Sequence, residues 1–71
     1  MTYLPYPKEE KIVTGCKVSW LYYKTKEDAE KAAKAAEHNA VLYMQRGYDF
    51  GYCSPGSIDE TDDNLFKVCI P

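Results

Sequence analysis

Residues 25–47 read TKEDAEKAAKAAEHNAVLYMQRG, and no other stretch of the chain is both long enough and periodic enough for a helix. At the ~100° advance per residue of an α-helix, Ala29, Ala32, Ala33, Ala36, Ala40, Tyr43 and Met44 fall on one stripe. Thr25 stands where an N-cap belongs, with Asp28 three residues on, a capping-box variant. Glu27, Asp28 and Glu30 suit the positive end of the helix dipole and Arg46 the negative end. Gly47 supplies a left-handed stop. A stripe made mostly of alanine lets the helix approach a sheet closely, so the bulky side chains should come from the strands.

The last turns are apolar nearly all round. Val41 and Leu42 point away from the stripe, Leu42 on the same flank as Ala35. They pack under the N-terminal arm or meet a partner.

Outward from the helix, the N-terminal side begins MTYLPYPKEEK, residues 1–11. Pro5 and Pro7 impose an extended arm, with Tyr3, Leu4 and Tyr6 able to cover apolar surface. Residues 12–71 form the single domain. Ile12–Tyr23 (IVTGCKVSWLYY) reads as the first strand, with Cys16, Val18, Trp20 and Tyr22 toward the core and Lys17, Ser19, Leu21 and Tyr23 opposite. Gly15 marks a bulge or bend near its start. Beyond the helix, Tyr48–Cys53 reads as a second strand with Tyr48, Phe50 and Tyr52 on one face. A connection, SPGSIDETDDN, follows, with Pro55-Gly56 as its turn signal. Leu65–Ile70 is the last strand, Phe66, Val68 and Ile70 alternating with Leu65, Lys67 and Cys69.

The expected order is therefore β-α-β-β in the α+β class: one helix on a three-stranded sheet. A right-handed crossover makes the first two strands parallel, with the last strand between them and antiparallel to both. That is a split βαβ unit, half of a ferredoxin-like fold. Its helix-free face would show Leu21, Tyr23, Cys53, Leu65 and Cys69. Dimerisation through that face or through a sheet edge would complete the fold.

Seventy-one residues make one domain of a size at which a lone core is marginal. The aromatic content is high, with seven tyrosines, two phenylalanines and a tryptophan. A net charge of −2 gives no electrostatic reason for nucleic acid or an anionic membrane. No signal-peptide pattern precedes the first strand and no apolar run reaches a ~20-residue span, so no membrane association and a cytoplasmic setting are expected. Three cysteines cannot pair completely within one chain, and reduced thiols are the expectation.

Tests for chemistry give little. Cys16, Cys53, Cys69 and His38 have no zinc spacing; Cys16 points to the other face and the register separates Cys53 from Cys69 by roughly 13 Å, so no metal and no cofactor is expected within one chain, while an intermolecular disulfide or inter-subunit site stays open. Asp59, Glu60, Asp62 and Asp63 lack the glycine and terminal glutamate of a calcium loop; they read as a solvated acidic loop, or as an acidic surface for a basic partner. Ser54-Pro55-Gly56-Ser57 lacks a phosphate-loop lysine. His38 has no local nucleophile or base, so an enzyme is not expected.

Two resemblances add to this. Thr25, Glu27, Ala29, Gly47 and Tyr48 are similar in arrangement to one half-repeat of peptidoglycan-binding SPOR-type domains. The second half-repeat is absent, so that likeness implies fold grammar and not sugar binding. The run from Trp20 to the C-terminus, notably YYKTKEDAE, HNA, GYDFGYCSPGSI and VCIP, resembles small proteins of marine tailed phages that infect cyanobacteria. That resemblance implies a phage accessory factor acting in the host cytoplasm. No catalytic residues come with it.

The sequence thus points to a small non-enzymatic binding protein, first a homodimer and then a binder of a host protein. Leu21, Tyr23, Val41, Leu42, Leu65 and Cys69 are the candidate oligomer or partner surface, and Asp59, Glu60, Asp62 and Asp63 the acidic partner loop. The alternatives are a single-stranded nucleic-acid binder using Tyr48, Phe50 and Tyr52, and an enzyme whose site forms between subunits. Alternation assigns those three aromatics to the helix-covered face, which counts against nucleic acid.

Overall fold

The computed structural model describes residues 4–15, 18–48 and 54–71. Helix α1 spans Lys26–Gln45. Its N-terminus is capped as the sequence indicates: the Asp28 amide donates to Thr25 Oγ1 at 3.3 Å, satisfying one of the first-turn N–H groups. Glu27 and Lys31 approach to 3.8 Å one turn apart. At the other end Gly47 takes φ +88°. The Gly47 amide donates to Met44 O at 3.0 Å and the Tyr48 amide to Tyr43 O at 3.2 Å, which is the Schellman pairing. The apolar contact that accompanies this motif is also present: the Tyr43 and Tyr48 rings meet edge to face, centroids 5.1 Å apart. Tyr48 therefore belongs to the helix stop and not to a strand. The rest of the expected 48–53 strand lies outside the described residues.

Among the described residues four strands form the sheet, where three were expected: β1 (Lys11–Gly15), β2 (Val18–Tyr23), β3 (Ile58–Glu60) and β4 (Phe66–Ile70). Their order is β1-β2-β4-β3, and every neighbouring pair is antiparallel. The class is α+β, with one helix on an open antiparallel sheet. Strands β2 and β3 flank β4 and so run in the same sense.

The first expected strand is in fact a hairpin. A twelve-residue strand would stretch about 40 Å, longer than the 35 Å greatest extent of the protein. The chain turns back instead, and Gly15 pairs with Val18. The third strand lies inside the expected connection, where Ile58 pairs with Val68 and Asp59 with Lys67.

The faces of β2 are the reverse of those expected, because β4 fixes them. Phe66, Val68 and Ile70 alternate with Lys67, so only their side can lie under an apolar helix. The register sets Leu21 opposite Val68 and Tyr23 opposite Phe66, which places Leu21 and Tyr23 on the helix side. A one-residue change of phase moves every side chain to the other face. The core accordingly joins Leu21, Tyr23, Val68 and Ile70 to Ala29, Ala32, Ala33 and Ala36, with Tyr6, Ile58 and Phe66 at its margin. The alanine stripe is buried as its spacing predicts. Met44, which shares its phase, is 62% exposed because the stripe outruns the sheet at the last turn.

Candidate functional site

Among the described residues, two polar side chains hold the N-terminal arm, Asn39 at Leu4 and Tyr6, and Tyr23 at Pro7. Asn39 is buried in α1, on the flank that carries Ala35 one turn earlier. Its Oδ1 accepts from the Leu4 amide at 2.8 Å, and its Nδ2 donates to Leu4 O and to Tyr6 Oη, both at 3.0 Å. The carboxamide thus pairs with the Leu4 backbone as another peptide group would, and only one orientation of the amide satisfies all three bonds. Tyr23, in the core, donates its hydroxyl to Pro7 O at 3.2 Å. Burial pushes the Tyr23 phenol up to about 12, with the negative charge of Glu9, then Tyr6 and Asp28, adding to the shift. Burial also raises Tyr6, partly offset by its bond from Asn39. Sequence reasoning passed over Asn39, although its signal was there: a polar residue in phase with buried Ala35 and Ala36.

The opposite face of the sheet has a different chemistry. The register aligns Lys11, Tyr22, Lys67 and Asp59 in one row across all four strands, and Val13, Trp20 and Cys69 in the next. Lys67 Nζ lies 4.2 Å from the centre of the Trp20 ring and Lys11 Nζ 4.9 Å from that of Tyr22, both within cation–π range. Trp20 and Tyr22 are partly exposed and Lys11 is exposed. Both aromatics were expected in the core; the structure puts them on the helix-free side, each with a lysine.

The two edges of the sheet also differ. β1 is exposed along Lys11–Thr14, with Ile12 56% and Val13 38% accessible. β3, at the other edge, has only three residues, two of them exposed acids. Short, charged edges resist further pairing and long apolar ones invite it.

The expected partner surface is largely dispersed. Leu21 and Tyr23 are core residues at 4% and 1% exposure, and Cys69 is fully buried. Leu42 and Leu65 are partly buried, and Val41 alone of the six is well exposed. Of the expected acidic loop, Asp59 and Glu60 belong to β3, while Asp62 and Asp63 are exposed in the β3–β4 connection. Of the aromatics expected to stack on nucleic acid, Tyr48 lies exposed at the helix stop, and Phe50 and Tyr52 are outside the described residues.

Cys69 is disulfide-bonded, which corrects the expectation of reduced thiols and removes it from any metal set. Cys16 and Cys53 lie outside the described residues. His38 is exposed on α1. Among the described residues, no three His, Cys, Asp or Glu side chains are placed to hold a metal ion. Among them too, no helix is long and apolar enough to cross a membrane.

Comparison with known proteins returns no match to a family model, to a curated protein or to a solved structure.

Proposed function

We propose that this chain is a small non-enzymatic binding protein that pairs through its β1 edge, first with a second copy of itself and through that dimer with a partner protein. The observation that carries this reading is the asymmetry of the two edges. β1 offers five residues with exposed Ile12 and Val13, whereas β3 is short and acidic. Two β1 strands meeting about a two-fold axis would join the two sheets into one and cover both apolar edges. In the same reading β2, α1, β3 and the intervening β4 form a split βαβ unit that dimerisation completes. The likeness of the Trp20–Pro71 run to small tailed-phage proteins adds a setting in which the partner is a host protein.

The test is the mass of the protein in solution across a range of concentrations, compared with that of an Ile12→Lys/Thr14→Lys variant. A dimer for the native chain, and a folded monomer with an unchanged circular dichroism spectrum for the variant, is the expected pair of results. A native chain that stays monomeric at about millimolar concentration sinks the dimer, and with it the edge-pairing reading.

A further inference from the structure

The helix-free face carries two aromatic side chains that the core does not use. Under α1, the apolar volume is filled by Leu21, Tyr23, Val68 and Ile70 against alanines. Trp20 and Tyr22 alternate with that set along β2, two residues apart on the same face, which separates them by roughly 6.6 Å along the strand. Each keeps a lysine ammonium over its ring, at 4.2 and 4.9 Å. Lysines interleaved with partly exposed rings on an open sheet face match a polyanion that also presents flat, unsaturated groups at regular intervals.

We infer that this face binds single-stranded nucleic acid, with successive bases stacking on Trp20 and Tyr22 and the flanking phosphates meeting Lys67 and Lys11. Stacking on sheet aromatics tolerates any base and needs bases that are not already paired, which a duplex does not offer. An acidic peptide would satisfy the lysines but place nothing on the rings. The chain's overall charge of −2 is unevenly spread. Four of its eleven acids, Asp59, Glu60, Asp62 and Asp63, gather at β3 and the turn after it, with Asp59 beside Lys67 in the register, while at the β1 end Glu10 is paired with Lys24 at 4.0 Å. The bound strand therefore runs along β2 and β1, away from β3. This site uses side chains on one face, so it is independent of pairing through the outer backbone of β1.

The chain's one tryptophan makes the test direct. Titration with a twelve-nucleotide oligothymidylate should quench Trp20 fluorescence to saturation at low salt. The affinity should fall with salt at a logarithmic slope of about −1.4, for two phosphates on a single strand. Lys11→Gln and Lys67→Gln should each remove about 0.7 from that slope, and Lys34→Gln on the exposed helix face should remove none. Tyr22→Leu, which keeps a bulky strand-forming residue, should weaken binding about tenfold with the slope unchanged. Trp20→Phe keeps a ring, and fluorescence anisotropy of a labelled oligonucleotide should show binding retained. Absence of quenching at low salt overturns the inference. So does equal binding of poly-glutamate, or equal loss from Lys34→Gln and Lys67→Gln.

Discussion

Replacing Asn39 with alanine should release the N-terminal arm and leave the sheet and helix folded beneath it. Three hydrogen bonds disappear together, at 2.8, 3.0 and 3.0 Å. At roughly 0.5–1.5 kcal/mol net apiece they sum to about 3 kcal/mol. Two effects reduce that figure. Leu4 is 46% exposed, so its freed amide and carbonyl can turn to water. Alanine is also the better helix former by about half a kcal/mol. A net loss of about 2 kcal/mol remains, which lowers the melting temperature by roughly 8–16 °C in a domain of this size. Hydrogen exchange locates the loss. The Leu4 amide, protected in the native chain, should exchange at the rate of an open peptide, while the Leu21 and Val68 amides follow global unfolding. Asn39→Asp provides a second arm to the experiment: it keeps the acceptor, loses both donors and buries a carboxylate. Burial raises that carboxyl above its unfolded value near 4, so the penalty is present above that pH and fades as the group protonates. The aspartate variant should thus be less stable than the alanine variant at neutral pH and converge on it in acid. An alanine variant that keeps Leu4 protected refutes the claim that this side chain holds the arm.

Other expectations concern single residues. Gly56 has φ +95°, and a Cβ there would lie 2.6 Å from Glu37 Cγ and 3.2 Å from Ala33 O. Gly56→Ala should therefore cost about 2–3 kcal/mol in a denaturant melt, against about 1 kcal/mol for Gly47→Ala, where φ is also positive but the space is open. The Tyr23 phenol stays protonated to about 12 when folded and ionises near 10.0 when unfolded, so the folded state holds the proton more tightly. Its contribution is fully present below pH 10 and is lost as the pH rises toward 12; Tyr23→Phe should flatten that alkaline decline in a pH series of melts. Reducing the Cys69 disulfide should remove roughly 3–4 kcal/mol, a large part of the stability of so small a domain, read as a fall in melting temperature with dithiothreitol.

The helix was legible in the sequence because its signals are local. Thr25 at the cap, alanines in phase and Gly47 at the stop each act within a turn of their neighbours. Pairing was less legible. The 12–23 stretch has one glycine at its turn, and its alternation reads as plausibly through the turn as up to it. The faces of β2 read the other way from sequence because Cys16, Val18, Trp20 and Tyr22 form a more apolar set than Lys17, Ser19, Leu21 and Tyr23, while the decision lies elsewhere, in Lys67 on β4 and the register that couples the two strands. Asn39 reads from sequence as an interruption of the alanine face; its partner, Leu4, lies thirty-five residues away. Of the candidate site, the edge could be anticipated in kind, since any three- or four-stranded open sheet has two. Which edge is bare, and which aromatics face outward, depends on long-range pairing that a linear pattern does not encode.

The position of β4 has a consequence for how the chain matures. It is the last of these elements to leave the ribosome, yet it occupies the interior of the sheet between β2 and β3. Until Val68 and Ile70 emerge, the core shared by the β1–β2 hairpin and the alanine face of α1 lacks the strand that closes it. Nascent chains ending short of these residues should be protease-sensitive, and protection should arrive in one step once β4 has emerged rather than build up along the chain. A stop codon just before Val68 would leave not a trimmed domain but none.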